Sequence, residues 1–445
     1  MKLRTRFWLG TLLLLHAQAT VLAQAPATVT DGKAPTYTGL REMNPPADPP
    51  PEQVTVIVNA RLIDGRGGPP VDNACIVIRG NKIDYAGPTA DATLPPDVPH
   101  KDVGGKAVLP GLIDTHFHSQ DSVTVPVTYQ LWNGITSFRD PGHPFKYYDL
   151  LLASDEVVPR VFLCGGHLDA EPVVWADQAA RIATAEEARQ TVREHVARGA
   201  SSIKIYLRLP LEHIAAACET AAELGVPVTA HLELVDADKA IEAGVAGIEH
   251  ITSFGTTLAN PELTRQFKEA IRASSDARQE WRYRLWQHIE LTGNPRVDPL
   301  LKLIVHRGTF VSGTLAVFEA QSGSEKSTAE EAQAFANMLQ FLGMCHQQGA
   351  KIVVGSHTAT KFADKRKAYL RELELMAEAG MKPLEIIAAA TLTGAEFLGI
   401  QDRLGTLEAG KLADLIIVNG DPSSNISQID HVTDVMLNGQ WVTRD

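Results

Sequence analysis

The chain has 445 residues, 44% hydrophobic and 21% charged, which suits one large domain with a small companion. Its formal net charge of -12 argues against nucleic acid as a partner, and no run of like charges offers a binding tail.

Lys2, Arg4 and Arg6 precede an apolar run from Phe7 to Leu15 and a small-residue site at Val21-Leu22-Ala23. This predicts a secretory signal peptide over residues 1–23, cleaved after Ala23, and a periplasmic or secreted mature protein. The apolar run is too short to span a bilayer and no later stretch is long enough, so no membrane partner is expected. Export permits disulfides. Cys75, Cys164, Cys218 and Cys345 nevertheless lie far apart in apolar contexts and read as buried free thiols.

Residues 24–53 form a Pro-rich arm. Alternating apolar and polar residues around turn glycines then predict antiparallel strands over 54–108, and the same texture returns over 402–445. Together these segments predict a small β-sandwich domain built from both termini. Over 109–401 strands alternate with helices, the mark of parallel βαβ units. Eight strands can be counted: VLPGLIDTHFH, GITSFRD, RVFLCGGH, SSIKIYL, VPVTAHLE, GIEHI, GTFVSGTL and KIVVGSHT. The expected fold class is therefore α/β, a (β/α)8 TIM barrel. Seven of these strands carry His, Lys, Arg or Asp toward their C-terminal end, the end at which barrel active sites form. A helical insert over 253–308 carries Trp281, Tyr283 and Trp286, which either pack the insert on the barrel or form a substrate wall.

His116 and His118 close the first strand two residues apart, so both imidazoles can meet one metal. Lys204 lies inside an apolar strand, where a charged, unpaired ammonium is costly. It is either a buried salt bridge or a neutral amine that takes up carbon dioxide as a carbamate. His231 and His250 end the next two strands and supply two further neutral nitrogens suited to zinc. His167 closes strand three behind Gly165 and Gly166, and Arg139 with Asp140 closes strand two. Arg139 reads either as half of a buried ion pair at the barrel mouth or as a substrate contact. Tyr206, two residues after Lys204, either faces the same cavity or belongs to the core. His143 follows a Pro-Gly turn and reads as a loop residue.

This set, with the C-terminal signature AAATLTGAEFLGI…GTLEAGKLADLIIVNGDP, resembles the amidohydrolase superfamily in its carboxylated-lysine, two-metal branch. Within it the chain is most similar to imidazolonepropionase- and prolidase-like amidohydrolases, over about residues 54–445. The resemblance implies that His116 and His118 hold the more buried metal, a Lys204 carbamate bridges, and His231 and His250 hold the more exposed metal. It gives His167 a role in polarising the substrate. One position departs: the family ends strand eight with Asp, and here Gly355-Ser356-His357 stands instead. An imidazole is a metal ligand and a base near neutral pH. His357 is therefore a working ligand or base, the mark of another reaction or a single metal, or an impairment. The expected activity is hydrolysis of amide-type C–N bonds in a small molecule (an N-acyl amino acid, dipeptide or cyclic amide), with one or two zinc ions per chain. A catalytically impaired or non-hydrolytic barrel is the alternative. A homo-oligomer is compatible with the sequence.

Overall fold

The computed structural model describes residues 42–119, 127–149 and 157–443. The leader over 1–23 and the arm before residue 42 lie outside the described residues. In chain order the strands are β1 (Val54–Leu62), β2 (Val71–Arg79), β3 (Lys82–Pro88), β4 (His100–Asp102), β5 (Ala107–Pro110), β6 (Leu112–Asp114), β7 (Ile135–Asp140), β8 (Arg160–Leu163), β9 (His167–Asp169), β10 (Ala179–Arg181), β11 (Ile203–Ile205), β12 (Val228–His231), β13 (Gly247–Glu249), β14 (Phe310–Ser312), β15 (Lys351–Val353), β16 (Leu415–Val418), β17 (Val432–Leu437) and β18 (Gln440–Trp441).

The two ends of the chain share one eight-stranded sheet, ordered β18-β17-β16-β5-β1-β2-β3, with β4 also on β1. Alternation explains it: Ile57, Ile76, Ile78, Val108, Leu415 and Met436 turn to one buried core, separate from the main one. The sequence predicts a two-layer sandwich, whereas the pairing gives a single mixed sheet. Its edge strand β3 meets Leu412 in an isolated antiparallel bridge, which curls the sheet around that core. β5 pairs through Leu109 and Pro110 with Ile416 and Leu415, and leads directly into β6.

The middle of the chain is parallel. β6, β7 and β8 make a three-stranded sheet, and the order β10-β9-β11-β12-β13-β14-β15 makes a seven-stranded one. The third expected strand is the one that breaks. Gly165 adopts φ +75° between β8 and β9, and a Cβ there would lie 2.2 Å from the His195 ring. The two sheets still touch at both ends. Ser201 N–H donates to Leu163 O at 2.8 Å, and Thr115 N–H to Val354 O at 2.8 Å. The strand C-termini consequently gather at one mouth.

Helices cover the outside, starting where caps satisfy the first free N–H groups. Thr184 accepts from Glu187 N–H ahead of Ala185–Ala197, and Thr328 with Glu331 forms a capping box ahead of Ala329–Gln347. In the insert, Asn260 caps Pro261–Ala273, which a short turn joins to the helix Arg278–Gln287. The arm from residue 42 is tied down: Met43 N–H donates to Val161 O, and Arg160 pairs with both Glu42 and Asp414 at 2.7 Å. All four cysteines are free and buried. Among the described residues no helix is long and apolar enough to cross a membrane.

Candidate active site

The strand ends converge on a cavity of about 230 Å³. His116, His118, His167, Lys204, Tyr206, His231, His250 and His357 all line it, so nearly every residue singled out from the sequence meets there. β6 stops at Asp114, and the two residues that follow in H-x-H lie just beyond it. Asp114 Oδ1 accepts from His116 N–H at 3.1 Å and Ser356 N–H at 3.0 Å, which locks this turn to the segment after β15. Gly355 permits that approach: a Cβ there would sit 2.6 Å from His116 Cβ. The mouth also holds backbone strain. His250 (φ 66°), Thr314 (φ 45°), His357 (φ 56°) and Thr358 (φ 64°) are left-handed without being glycine, each at a cost of roughly 1 kcal/mol or more.

The imidazoles are arranged as ligands. His116 Nε2 and His118 Nε2 are 3.2 Å apart. An N–H···N hydrogen bond accounts for that spacing, and so does a shared ion: metal–nitrogen bonds of about 2.0–2.1 Å place tetrahedral ligands about 3.3–3.4 Å apart. The His357 ring stacks on His116 with centroids 5.1 Å apart and meets His118 edge-on at 4.7 Å. Nitrogens of these three rings lie within 4.8 Å of one another. His231 and His250 are neighbours at 4.4 Å, and His250 is 4.8 Å from His116. His250 Nδ1 is bonded to Thr314 Oγ1 at 2.6 Å, which leaves Nε2 for a ligand. His231 Nε2 is 3.2 Å from Glu233 Oε1, which leaves Nδ1. Buried and without a hydrogen-bond partner among the described residues are His118 Nδ1, His357 Nδ1, His167 Nε2 and Lys204 Nζ.

Electrostatics keep the imidazoles neutral. Burial pushes His116 and His167 down to about 4 and His231 to about 3. Burial and neighbouring cationic groups hold His118, His250 and His357 well below the usual imidazole range. Burial also lowers Lys204 to about 8, against the pull of Glu249. A neutral imidazole or amine has the lone pair that a metal or carbon dioxide needs. The donor set therefore fits a divalent ion of the zinc type.

Sequence reasoning missed the carboxylate beneath the site. Glu249, immediately before His250, is fully buried and contacts His116 Nδ1 and Arg139 Nη2, with Lys204 Nζ at 3.4 Å from Oε1. Burial acts to raise this carboxyl, but Arg139, Lys204 and His116 overcome it and hold it well below the usual range. The GIEHI motif carried the signal, since a Glu in an apolar strand demands a cationic partner. Arg139, read from the sequence either as half of a buried ion pair or as a substrate contact, is in a buried ion pair, with Glu249 as its partner. It is fully buried, spends its donors on Glu249, Thr115 O (2.7 Å) and Thr229 Oγ1 (3.0 Å), and lies beneath the cavity rather than in its lining. Asp140 does not pair with it directly. It accepts from Ser119 N–H (2.8 Å) and Oγ (2.7 Å) and from His143 Nδ1 (2.7 Å), which makes His143 a buried neighbour of His118. In the insert Trp286 and Tyr283 are buried, Trp286 against Phe341, so they pack the helix. What that helix presents to the cavity is Arg278 and Arg282.

Comparison with known proteins agrees with this geometry. The model of the amidohydrolase family matches residues 107–442, a span that contains every residue of the site. An adenine deaminase of Mesorhizobium japonicum is 20% identical over 382 residues; these are 84% of this chain and 55% of the relative, so the chain spans about half of that protein. A Bifidobacterium longum structure assigned as a prolidase is 25% identical, with a TM-score of 0.67 over 89% of this chain and 96% of that one. The ochratoxinase of A. niger is 22% identical, with a TM-score of 0.64 over 87% of this chain and 95% of that one, a likeness of fold. The chain belongs to the amidohydrolase family and is an enzyme of that kind.

Proposed function

We propose that the chain is a (β/α)8 hydrolase that cleaves amide-type C–N bonds in a small molecule with one or two zinc ions. The reading is carried by one observation: six imidazoles and one partly deprotonated lysine converge on a single cavity with neutral or unpartnered nitrogens. His116 and His118 would hold one ion, with His231 and His250 beside a carbamate on Lys204 for a second. Bound zinc supplies Lewis acidity, which polarises a carbonyl and acidifies water.

The remaining steps belong to the chain. Glu249 accepts the Nδ1–H of His116 and so keeps Nε2 as its lone-pair nitrogen. His167 Nδ1 is 3.4 Å from Gly142 O, and its Nε2, buried and unpartnered in the cavity lining, is the nitrogen left to meet the substrate. His357 takes a proton from water and returns it to the leaving nitrogen. A second reading, metal binding without amide hydrolysis, draws on the absence of any carboxylate from the described lining.

Zinc-loaded protein tests this against N-acyl amino acids, dipeptides and lactams, beside a His116→Asn/His118→Asn double variant. Turnover of at least one class, lost with zinc in the variant, is expected. No turnover of any class at full zinc occupancy would leave only the second reading. Export is part of the proposal, on the strength of the leader over residues 1–23. The exported protein should begin at Gln24, and recovery of Met1 would overturn it.

A further inference from the structure

The cavity lining is cationic and has no counter-charge of its own. Arg278 and Arg282 line it beside the histidines and Lys204, and among the described residues no Asp or Glu does. Arg282 is compensated from behind: its Nε donates to Glu233 at 2.8 Å. Arg278 is different. It is only 6% exposed, its Nη1 donates to Ser275 O at 2.9 Å, and its Nε is buried without a hydrogen-bond partner. Among the described residues no carboxylate pairs with it. A buried guanidinium left unpaired is costly, so the cavity is built for an anion to arrive.

The group is also held in place. Arg208, in the turn after β11, donates to Ile271 O at 2.6 Å and Ser275 Oγ at 2.7 Å. That fixes the turn whose carbonyl receives Arg278. The Arg278 guanidinium lies 6.0 Å from the Trp175 ring, and Val317, Phe318 and Tyr206 supply apolar wall. A volume of about 230 Å³ is at the small end for a ligand pocket.

We propose that Arg278 is the carboxylate-recognising residue of this cavity, and that the substrates are small amides bearing a carboxylate beside an apolar group. The inference rests on the amide-hydrolase reading of the same cavity and narrows it. Arginine suits the task because its planar fork matches a carboxylate.

The test uses zinc-loaded, full-length protein and ligands that cannot be cleaved: 4-oxo acids, in which a methylene replaces the amide nitrogen, beside matched neutral methyl ketones. Calorimetry should show the acids binding at least about tenfold tighter than the ketones. Arg278→Leu should abolish that preference and leave ketone binding within about twofold. If Arg278→Leu does not fold, Arg278→Lys should lose part of the preference, since a point charge does not reproduce the fork. An undiminished preference in the variant, or no preference in the wild type, overturns the proposal, as does failure of every acid to bind. Amide turnover without acid preference would sink this inference alone. Acid preference without amide turnover would sink the hydrolase reading alone.

Discussion

Glu249→Gln removes one charge and no volume, at the point where the site meets its foundation. The carboxylate holds His116 Nδ1–H on one oxygen and Arg139 Nη2 on the other, with Lys204 Nζ 3.4 Å away. A glutamine cannot serve both. With its oxygen on Arg139, its NH2 faces His116 Nδ1, and the imidazole must carry its hydrogen on Nε2, where the metal lone pair should be. With its oxygen on His116, its NH2 points at the guanidinium and the ammonium. Loss of such an outer partner typically costs 10–100-fold in metal affinity, about 1.4–2.7 kcal/mol. Breaking a buried pair adds about 3–5 kcal/mol against folding, since Arg139 is left charged with no counter-ion. Zinc titration against a competing chelator should therefore show at least tenfold weaker binding, and calorimetry of metal-free protein should show a lower Tm. Wild-type zinc affinity in Glu249→Gln would refute the claim that this carboxylate sets the His116 tautomer.

Lys204→Ala should lose zinc and activity, with partial rescue by short-chain carboxylic acids that place two oxygens where a carbamate stood; zinc binding and turnover equal to wild type would exclude the carbamate. His357→Ala should cost about a hundredfold in rate, as for a general acid–base group. His357→Asp should exceed the wild type on simple amides, because a carboxylate spans a metal and a proton where opposed ring nitrogens cannot; a wild type better on every amide would show His357 to be a specialised catalytic group. Burial, against hydrogen bonds from Ala316 and Leu315, raises Glu372 from 4.5 to about 7, with Asp114 adding to the rise and Arg371 opposing it. A raised carboxyl favours the folded state below pH 4.5 and loses that contribution as pH climbs through 7, up to about 3 kcal/mol. Glu372→Gln should therefore gain stability relative to wild type between pH 5 and 8, and parallel pH profiles would contradict the assignment.

Much of this molecule was legible because its chemistry sits at strand ends. The spacing of His116 and His118, the lone Lys204 in an apolar strand, and histidines closing successive strands all follow from residue type and a period of two. What stayed hidden depended on partners far apart in sequence. Glu249 and Arg139 are 110 residues apart, and only folding shows that the guanidinium lies beneath the cavity rather than in its lining. Arg278 and Arg282 lie in a helix whose aromatic residues drew attention instead, because amphipathic pattern marks a packing face and not where a long polar side chain ends. The split of the third strand turned on one positive φ at Gly165, which a run of apolar residues does not reveal. The sandwich expected from alternating ends became one curled sheet, since alternation fixes a buried face but not how many layers share it.

The central claim is that the histidine cluster is a metal centre. A crystal structure of zinc-loaded protein, with anomalous scattering measured at the zinc edge, addresses it most directly. The account predicts an ion within about 2.0–2.1 Å of a ring nitrogen of His116 and of His118, with density for a carboxyl group on Lys204 where a second ion is present. Zinc bound away from both histidines, or a fully occupied pair of ions beside an unmodified Lys204 ammonium, would contradict it.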